Sequence, residues 1–202
     1  MKNTPEIALE AVRNYLNQIS ELTDTDWNFF SSKLIRRELP KKTIFLPVGT
    51  VENHISFIVS GIVRLYIPKS EPSKEITFGF SFKEQFISAY DSFLTRRPSL
   101  YELQTLNNTT LLSITYDDLQ EVYSTTQIGN LIGRLTAERL FLIKSKREQT
   151  LLNYTAEERY LDLFKNRPEV IKEIPLKYIS SYIGVTPQAL SRIRKRIIPS
   201  KL

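Results

Sequence analysis

The spacing of apolar residues divides the chain into a helical beginning, a strand-rich middle and a helical end. Between residues 6 and 37, apolar residues such as Ile7 and Ala11 recur at intervals of four. This spacing is typical of amphipathic helices, so we expect helical structure throughout this range. Thr23 or Asp24 is the expected N-cap of a second helix.

From about residue 42 the pattern changes to short runs rich in β-branched and aromatic residues. The runs read TIFLPVGT, HISFIVSGIVRLYI, EITFGFSF, YELQTL and TLLSIT. Gly49, Gly61 and the pair Asn107-Asn108 separate them as turn signals. Short strands at this spacing predict a compact antiparallel barrel or sandwich. The stretch TYDDLQEVYS, from Thr115, then predicts a capped helix.

Residues 125–150 predict a long helix that carries an apolar stripe. The stripe can pack on the barrel or pair with itself in a dimer, and we favour the dimer because the stripe needs a partner surface. Gly129 and Gly133 lower helix propensity here but allow another helix to approach closely. The predicted dimer-interface residues are Ile128, Leu131, Ile132, Leu135 and Leu142.

The end of the chain predicts three more helices. The first runs from Thr155 to Phe164, before Asn166-Arg167-Pro168. The segment IPLKYISSYIGVTPQALSRIRKRI then fits a helix–turn–helix, with Leu176, Ile179 and Ile183 on the inner face of its first helix.

The predicted turn between the last two helices has a residue suited to each position. Gly184 is the expected left-handed stop and Val185 the expected buried turn residue. Thr186 fits the N-cap of the last helix, and Pro187 fits its first position.

A helical wheel gives the last helix an apolar face and a polar face. Ala189, Leu190, Ile193 and Ile197 fall on the apolar side. Amide and guanidinium groups can pair with base edges, so the predicted base contacts are Gln188, Ser191 and Arg192. The predicted phosphate contacts are Thr186, Arg194, Lys195 and Arg196. A solvated amphipathic helix and a membrane-surface helix are the alternatives.

Charge favours the nucleic-acid interpretation. The chain has a net charge of +6, all of it in residues 171–202, which hold seven basic residues and one acidic residue. A neutral body with a basic end is typical of a protein that binds a polyanion.

Composition excludes several other classes. The chain has no Cys and one His, so disulfides, Fe–S clusters and Cys-based zinc sites are excluded, and almost no catalytic metal or nucleophile set can be assembled. We therefore expect no enzyme, no metal and no cofactor. No apolar run approaches the ~20 residues of a membrane span, and the beginning of the chain does not fit a signal peptide. A cytoplasmic protein without a membrane partner is expected.

The segment GVTPQALSRIRK resembles the helix–turn–helix of the Crp/Fnr family of bacterial transcription regulators. ENHISFIVSGIVRLYI is similar to a segment of that family's β-roll. The resemblance implies an α+β fold: an N-terminal antiparallel β-roll of the cupin-like, cyclic-nucleotide-binding type with flanking helices, a long dimerisation helix, and a C-terminal helix–turn–helix of winged-helix type with a short or absent wing. The corresponding domains are 1–124, 125–150 and 151–202.

Two departures from the family pattern bear on function. The family's recognition helix carries Glu-x-x-Ser-Arg, and Gln188 stands here in place of the Glu. Members that bind cyclic nucleotides carry a cassette resembling Phe-Gly-Glu-Leu-Ala followed by Arg-Ser/Thr-Ala. Ser88, Ala89 and Tyr90 replace Gly, Glu and Leu of that cassette, and Pro98 suggests a loop nearby. We therefore predict weak or no cyclic-nucleotide binding.

Other effectors stay open at this point. His54, the single His, is the one candidate for a haem ligand, but a lone His in a strand-rich segment is more often structural. An unknown small-molecule effector can be held by the aromatic set Phe78, Phe80, Phe86 and Tyr90, although such a set is more often core than pocket.

The sequence thus predicts a homodimeric, sequence-specific DNA-binding regulator that reads a palindromic site in double-stranded DNA with the helix 187–197. RNA polymerase is a further candidate partner. The alternative is a ligand-sensing or protein-binding β-roll module without specific DNA binding.

Overall fold

The structure is a computed structural model, and it describes residues 4–126 and 129–197 of the 202-residue chain. Ile128 of the predicted dimer interface and Lys201 of the basic end lie outside the described residues.

Two helices precede the sheets: α1, Thr4–Asn17, and α2, Asp24–Ser32. The N-cap of α2 is Thr23, whose Oγ1 accepts a hydrogen bond from the backbone N of Asp26 at 3.1 Å. The expectation of helix up to residue 37 is wrong at its end, because Ile35–Leu39 is a strand. Its backbone pairs with a strand 70 or more residues later, and that pairing replaces local helical bonding.

The middle of the chain forms two four-stranded sheets, which confirms the predicted antiparallel roll. One sheet has the order β1-β8-β3-β6 and the other β2-β7-β4-β5. The strands are β1 Ile35–Leu39, β2 Ile44–Leu46, β3 His54–Ser60, β4 Val63–Ile67, β5 Ile76–Ser81, β6 Phe86–Ile87, β7 Glu102–Thr105 and β8 Thr109–Thr115. In the first sheet, Phe57 of β3 lies opposite Leu112 of β8 and Phe86 of β6.

The pair Asn107-Asn108 makes the turn between β7 and β8, as predicted, and also fastens neighbouring corners. The side-chain oxygen of Asn107 accepts from the backbone N of Ile62 at 2.8 Å. That of Asn108 accepts from the backbone N of Lys41 at 3.0 Å. A helical turn after β6, α3 at Tyr90–Thr95, is an element that the sequence pattern did not predict.

Two apolar clusters hold the N-terminal helices and α4 against the first sheet. One joins α1 and α2 to β3 and β8 through Ala8, Val12, Leu16, Leu22, Trp27, Phe57 and Leu112. The other joins α3 and α4 to β8 through Phe93, Ile114, Leu119 and Val122. Both clusters draw on the face of β3 and β8 that carries Phe57 and Ile114.

Helix α4, Tyr116–Thr125, begins at the predicted cap, where Thr115 Oγ1 accepts from the backbone N of Asp118. Helix α5, Gly129–Asn153, follows it. A Cβ on Gly133 would lie 3.0–3.1 Å from the ring of Tyr123, so this glycine makes room for α4. The helix that approaches closely at Gly133 is therefore α4, through Tyr123.

Four helices form the last part of the described residues: α6 Ala156–Asn166, α7 Pro168–Glu173, α8 Leu176–Tyr182 and α9 Pro187–Ile197. Thr155 and Glu158 form a capping box at the start of α6, because each side chain bonds the other residue's backbone N. Helix α7 was not predicted from the sequence. No helix in residues 4–126 or 129–197 is long and apolar enough to cross a membrane.

Contacts divide the chain into two compact units. The first comprises residues 1–65 and 80–140, and the second comprises residues 66–79 and 141–202. The second unit thus contains the tip of the β4–β5 hairpin as well as the terminal helices.

Gly61 occupies a position that no other residue can fill without a backbone shift. Its φ is +109°, and an added Cβ would lie 2.7 Å from the Cα of Thr109. We expect Gly61→Ala to lower the free energy of unfolding by more than the about 1–3 kcal/mol that backbone strain alone costs. Urea denaturation measures this change.

Gly49→Ala is the matched control for that substitution. Gly49 also has a positive φ, +85°, but an added Cβ would have no atom within 4 Å. Gly49→Ala should therefore lose only the free energy of unfolding that backbone strain costs, without the clash with Thr109. Equal losses in the two variants would mean that the contact with Thr109 is not limiting.

Candidate nucleic-acid interface

The turn between α8 and α9 is a Schellman motif. Gly184 has φ +78°, as predicted for the stop residue. The backbone N of Val185 donates to the carbonyl of Ser180 at 2.9 Å, and that of Gly184 donates to the carbonyl of Ser181 at 3.1 Å. These two bonds satisfy carbonyls that the end of a helix leaves without partners.

Helix α9 then begins as the sequence predicts. Thr186 Oγ1 accepts from the backbone N of Ala189 at 3.2 Å, which is the N-cap bond. Pro187 is the first helical residue, where its missing N–H has no cost.

The inner face of the helix pair is apolar and closely packed. Leu190 and Ile193 of α9 are buried, as are Ile179 and Ile183. Val185, expected to be the buried turn residue, is half-buried. Ile183 takes the buried place, because it is the last residue before the chain turns away at Gly184.

Two arginines from other helices fasten the C-terminal end of α8. A guanidinium nitrogen of Arg147, on α5, donates to the carbonyl of Tyr182, and its guanidinium lies 3.7 Å from the centroid of the Tyr182 ring. Arg159, on α6, donates through Nε to the carbonyl of Ile183 at 2.9 Å. The C-terminal end of a helix carries a partial negative charge, so the two cations also stabilise α8 electrostatically. Burial lowers the pKa of Arg147 from its ordinary value, and the charges of Arg159 and Arg167 add to this effect.

The hairpin tip in the same unit also fastens α8. Ser181 Oγ donates to the carbonyl of Glu75 at 2.6 Å and accepts from the backbone N of Thr77 at 2.9 Å. Arg147, Arg159 and Ser181 were not singled out from the sequence, since nothing near them in the chain indicates their partners.

The three predicted base contacts are exposed together on α9. Gln188, Ser191 and Arg192 are all solvent-accessible. Ser191 Oγ donates to the carbonyl of Pro187 at 3.0 Å, so its lone pairs remain as acceptors. Within the described part of the chain, Gln188 and Arg192 have no side-chain hydrogen bond.

The four predicted phosphate contacts have different surroundings. Thr186 and Lys195 are exposed, whereas Arg194 is half-buried. Arg196 pairs with Glu157 at the start of α6, with Nη2 and Nε 2.7 Å and 3.2 Å from the same carboxylate oxygen. The Arg196 charge is therefore already paired with Glu157 in the protein without DNA.

The predicted dimer stripe on α5 is partly covered and partly open. Ile132 and Leu135 are half-buried, and Ile132 packs on the cluster formed with α1 and α2. Leu131 and Leu142 are exposed, Leu142 at 66%. Phe141 and Ile143, which are also exposed, were not predicted from the sequence.

The region that corresponds to the nucleotide cassette is internally bonded. Arg96 donates through Nη1 to the carbonyl of Glu52 at 2.8 Å and through Nη2 to Asn53 Oδ1 at 2.8 Å. Its guanidinium also lies 4.2 Å from the Tyr116 ring centroid. Ser88 Oγ donates to the carbonyl of His54 at 2.9 Å.

Glu52 and His54 lie beside that region. Burial raises the pKa of Glu52, whose carboxylate accepts from the backbone N of His54 at 2.9 Å. Burial also lowers the pKa of His54, and the charge of Arg37 acts in the same direction. In the part of the chain that the structure describes, no three His, Asp or Glu side chains are grouped to hold a metal ion.

Residues 36–126 match the cyclic nucleotide-binding domain family in sequence. This segment contains β1 from its second residue, the whole of β2 to β8, and α3 and α4. No protein of curated function matches the chain in sequence.

Solved structures are similar over most of the chain. The c-di-GMP-responsive regulator CLP of Xanthomonas campestris has a TM-score of 0.67 at 18% identity, covering 89% of this chain and 94% of CLP. FixK2 of Bradyrhizobium japonicum gives 0.67 at 14% identity, with 83% and 86% covered. A putative crp/fnr-family regulator of Eubacterium rectale gives 0.65 at 19%, with 93% and 88% covered.

At identities below 20%, these similarities show that the folds are alike and do not show a shared function. The resemblance indicated by the terminal motif is confirmed at that level. Residues 36–126 match the cyclic nucleotide-binding domain family, and the chain has the same fold as these solved structures, which include a putative crp/fnr-family regulator.

Proposed function

We propose that the protein is a sequence-specific DNA-binding transcriptional regulator of the Crp/Fnr type that reads double-stranded DNA with α9. The observation that carries this proposal is the exposed set Gln188, Ser191 and Arg192 on a helix fixed from its other side. Amide and guanidinium groups pair with base edges in the major groove, which is about 12 Å wide and admits an α-helix.

Charge supports a nucleic-acid partner. Helix α9 carries four cations and no acidic residue. Three of them, Arg194, Lys195 and Arg196, follow the base-reading positions along the helix, where phosphates flank the groove. Gln188, which stands where the family has Glu, can donate as well as accept, so a different base at that position fits this chain.

A homodimer fits the exposed apolar residues of α5. Phe141, Leu142 and Ile143 are more than half exposed, and exposed apolar groups of this size favour a protein partner. Two copies related by a two-fold axis would place two α9 helices in successive major grooves, about 34 Å apart, on a palindromic site. RNA polymerase is the further partner that such a regulator in the cytoplasm would contact.

Control by cyclic nucleotide is not part of this proposal. A buried cyclic phosphate needs a charged partner, and Arg96 already bonds to Glu52 and Asn53. The protein would then be a regulator without cofactor, metal or catalytic activity, with an effector of another kind or none.

Selection of bound duplexes from a random DNA pool tests the proposal directly. We expect a palindromic motif with half-sites one helical turn apart. Recovery of no motif at moderate salt would contradict specific DNA binding and favour the alternative, a β-roll module that binds a ligand or a protein. Repeating the selection with a small-molecule extract would show whether an effector is needed.

Arg192→Ala and Lys195→Ala should weaken DNA binding in different ways. Loss of a guanidinium that pairs with a base should cost about 1–3 kcal/mol and relax specificity at one position. Loss of a cation that contacts phosphate should weaken all sequences alike and lower the salt slope by about one. Fluorescence anisotropy with cognate and scrambled duplexes, over a salt series, separates the two.

Lys83→Ala is the control for charge alone, since Lys83 is an exposed cation of the roll that already pairs with Glu84 at 3.3 Å. If it weakens binding as much as Arg192→Ala, the effect is not specific to α9.

Glu157→Gln should tighten DNA binding without destabilising the fold. The substitution frees Arg196 from its ion pair and removes a negative charge next to the predicted phosphate contacts. Exposed pairs contribute about 0.2–1 kcal/mol, so we expect an affinity gain of that size. Anisotropy titrations and thermal unfolding measure the two quantities.

Glu169→Gln provides the matched comparison. It breaks the ion pair between Glu169 and Arg167, 3.0 Å apart, which lies in the same unit but does not involve α9. An equal gain in DNA affinity in both variants would mean that the change in net charge, and not the release of Arg196, tightens binding. An unchanged affinity in Glu157→Gln would mean that Arg196 does not contact phosphate.

Leu142→Glu should convert a dimer to monomers. Two Leu142 side chains become buried at a symmetric interface, and burial of each contributes about 1.5–3 kcal/mol. We therefore expect the dimer dissociation constant to rise by at least about 100-fold in sedimentation experiments. Leu100→Glu, at a residue of the roll that is 76% exposed, should leave the dimer intact. A monomeric wild-type protein would exclude this role for α5.

A further inference from the structure

A small cleft lies where the two apolar clusters of the first unit meet. Its volume is about 70 Å³. The walls come from α1, α2, α4, the start of α5 and the sheet face that these helices cover. Residues that line it include Leu22, Phe30, Tyr90, Leu119, Tyr123 and Ile132.

The cleft is on the helix-covered face of the first sheet. Ile55 and Ile114 line it and lie opposite each other on β3 and β8. Side chains alternate between the two faces of a strand. Ser56 and Ser113, which share a hydrogen bond of 2.7 Å, are therefore on the other face of the same sheet.

One carboxylate lines this otherwise apolar space. Asp26, in the first turn of α2, is 8% exposed. Its Oδ2 is buried and has no hydrogen-bond partner among the described residues. The nearby cation Arg13 pairs instead with Asp24, at 2.5 Å.

A buried carboxylate oxygen without a partner is costly. Transfer of a polar group into an apolar environment without a hydrogen bond destabilises the fold, and a charge costs more. Such an atom in a folded protein requires an explanation. A ligand that donates a hydrogen bond to Oδ2 would remove this cost. The free energy that the unpartnered oxygen costs the unliganded protein would then favour ligand binding.

We propose that this cleft binds a small organic cation, a short alkylammonium group whose nitrogen donates to Asp26. The space is about twice the share of one water in the liquid and about half of a cavity that holds benzene. With two carbons and a nitrogen, ethylammonium has half the heavy atoms of benzene and fits this size, and the apolar walls exclude a larger polar body. The aromatic rings of Phe30, Tyr90 and Tyr123 also line the cleft, and aromatic faces attract cations.

The two phenols in the cleft contribute rings and no negative charge. Burial raises the pKa of Tyr123 to about 12, and Tyr90 adds to this shift. Burial likewise raises the pKa of Tyr90.

The experiment uses ethylammonium chloride as the probe and the fluorescence of Trp27 as the local signal. Trp27 is the one tryptophan of the chain and is adjacent to Asp26. We expect a saturable change in its emission and a rise in melting temperature that depends on probe concentration. Ethanol, the neutral analogue, should bind at least tenfold more weakly.

Two substitutions on α2 form the comparison. Asp26→Asn should weaken ethylammonium binding at least tenfold, because the amide lacks the charge. Asp24→Asn, an exposed position of the same helix turn, should bind as the wild type does. Equal binding by Asp26→Asn, or no saturable change in the wild type, would overturn the proposal and leave water as the partner of Asp26.

Thr136→Leu keeps the proposal testable if Asp26→Asn does not fold. Thr136 lines the cleft from α5, and Leu has the higher helix propensity. The larger side chain should fill the space and abolish binding while Asp26 stays in place. Unchanged affinity for ethylammonium in this variant would exclude the cleft as the site.

Discussion

The position of α9 depends on how the last carbonyls of α8 are satisfied. A helix end leaves carbonyls without partners, and here α8 is seven residues long, too short to be stable alone. The Schellman bonds satisfy Ser180 and Ser181, while Arg147 and Arg159 satisfy Tyr182 and Ile183. Because these two arginines come from α5 and α6, the turn that starts α9 is fixed by helices outside the pair.

Local signals were sufficient to predict the two faces of α9. Thr186 and Pro187 determine where the helix starts, and the alternation of apolar and basic residues determines which side is buried. Leu190 and Ile193 are accordingly in the core, and Gln188, Ser191 and Arg192 are at the surface. The β-roll was predictable for the same reason, since its strands are short apolar runs between strong turn residues.

Partners that are remote in sequence were not predictable. Strand β1 was expected to be helical at its start, because the hydrogen bonds that make it a strand come from β8. The pair of Arg196 with Glu157 joins residues 39 positions apart and changes how one predicted phosphate contact is interpreted. Asp26 is unremarkable in the sequence as an acidic residue in a first helical turn, and its isolation is visible once α1, α4 and α5 surround it.

The second unit contains cations of two electrostatic kinds. Arg147 and Arg159 donate to carbonyls at the end of α8, whereas Arg192 and Lys195 of α9 are exposed to solvent. Mobile ions screen exposed charges within about 10 Å at 0.1 M salt but act much less on partly buried contacts. Concentrated salt would therefore release a polyanion bound to α9, as proposed, while the helix pair stays folded. Elution from an anionic resin would recover the protein with this surface intact.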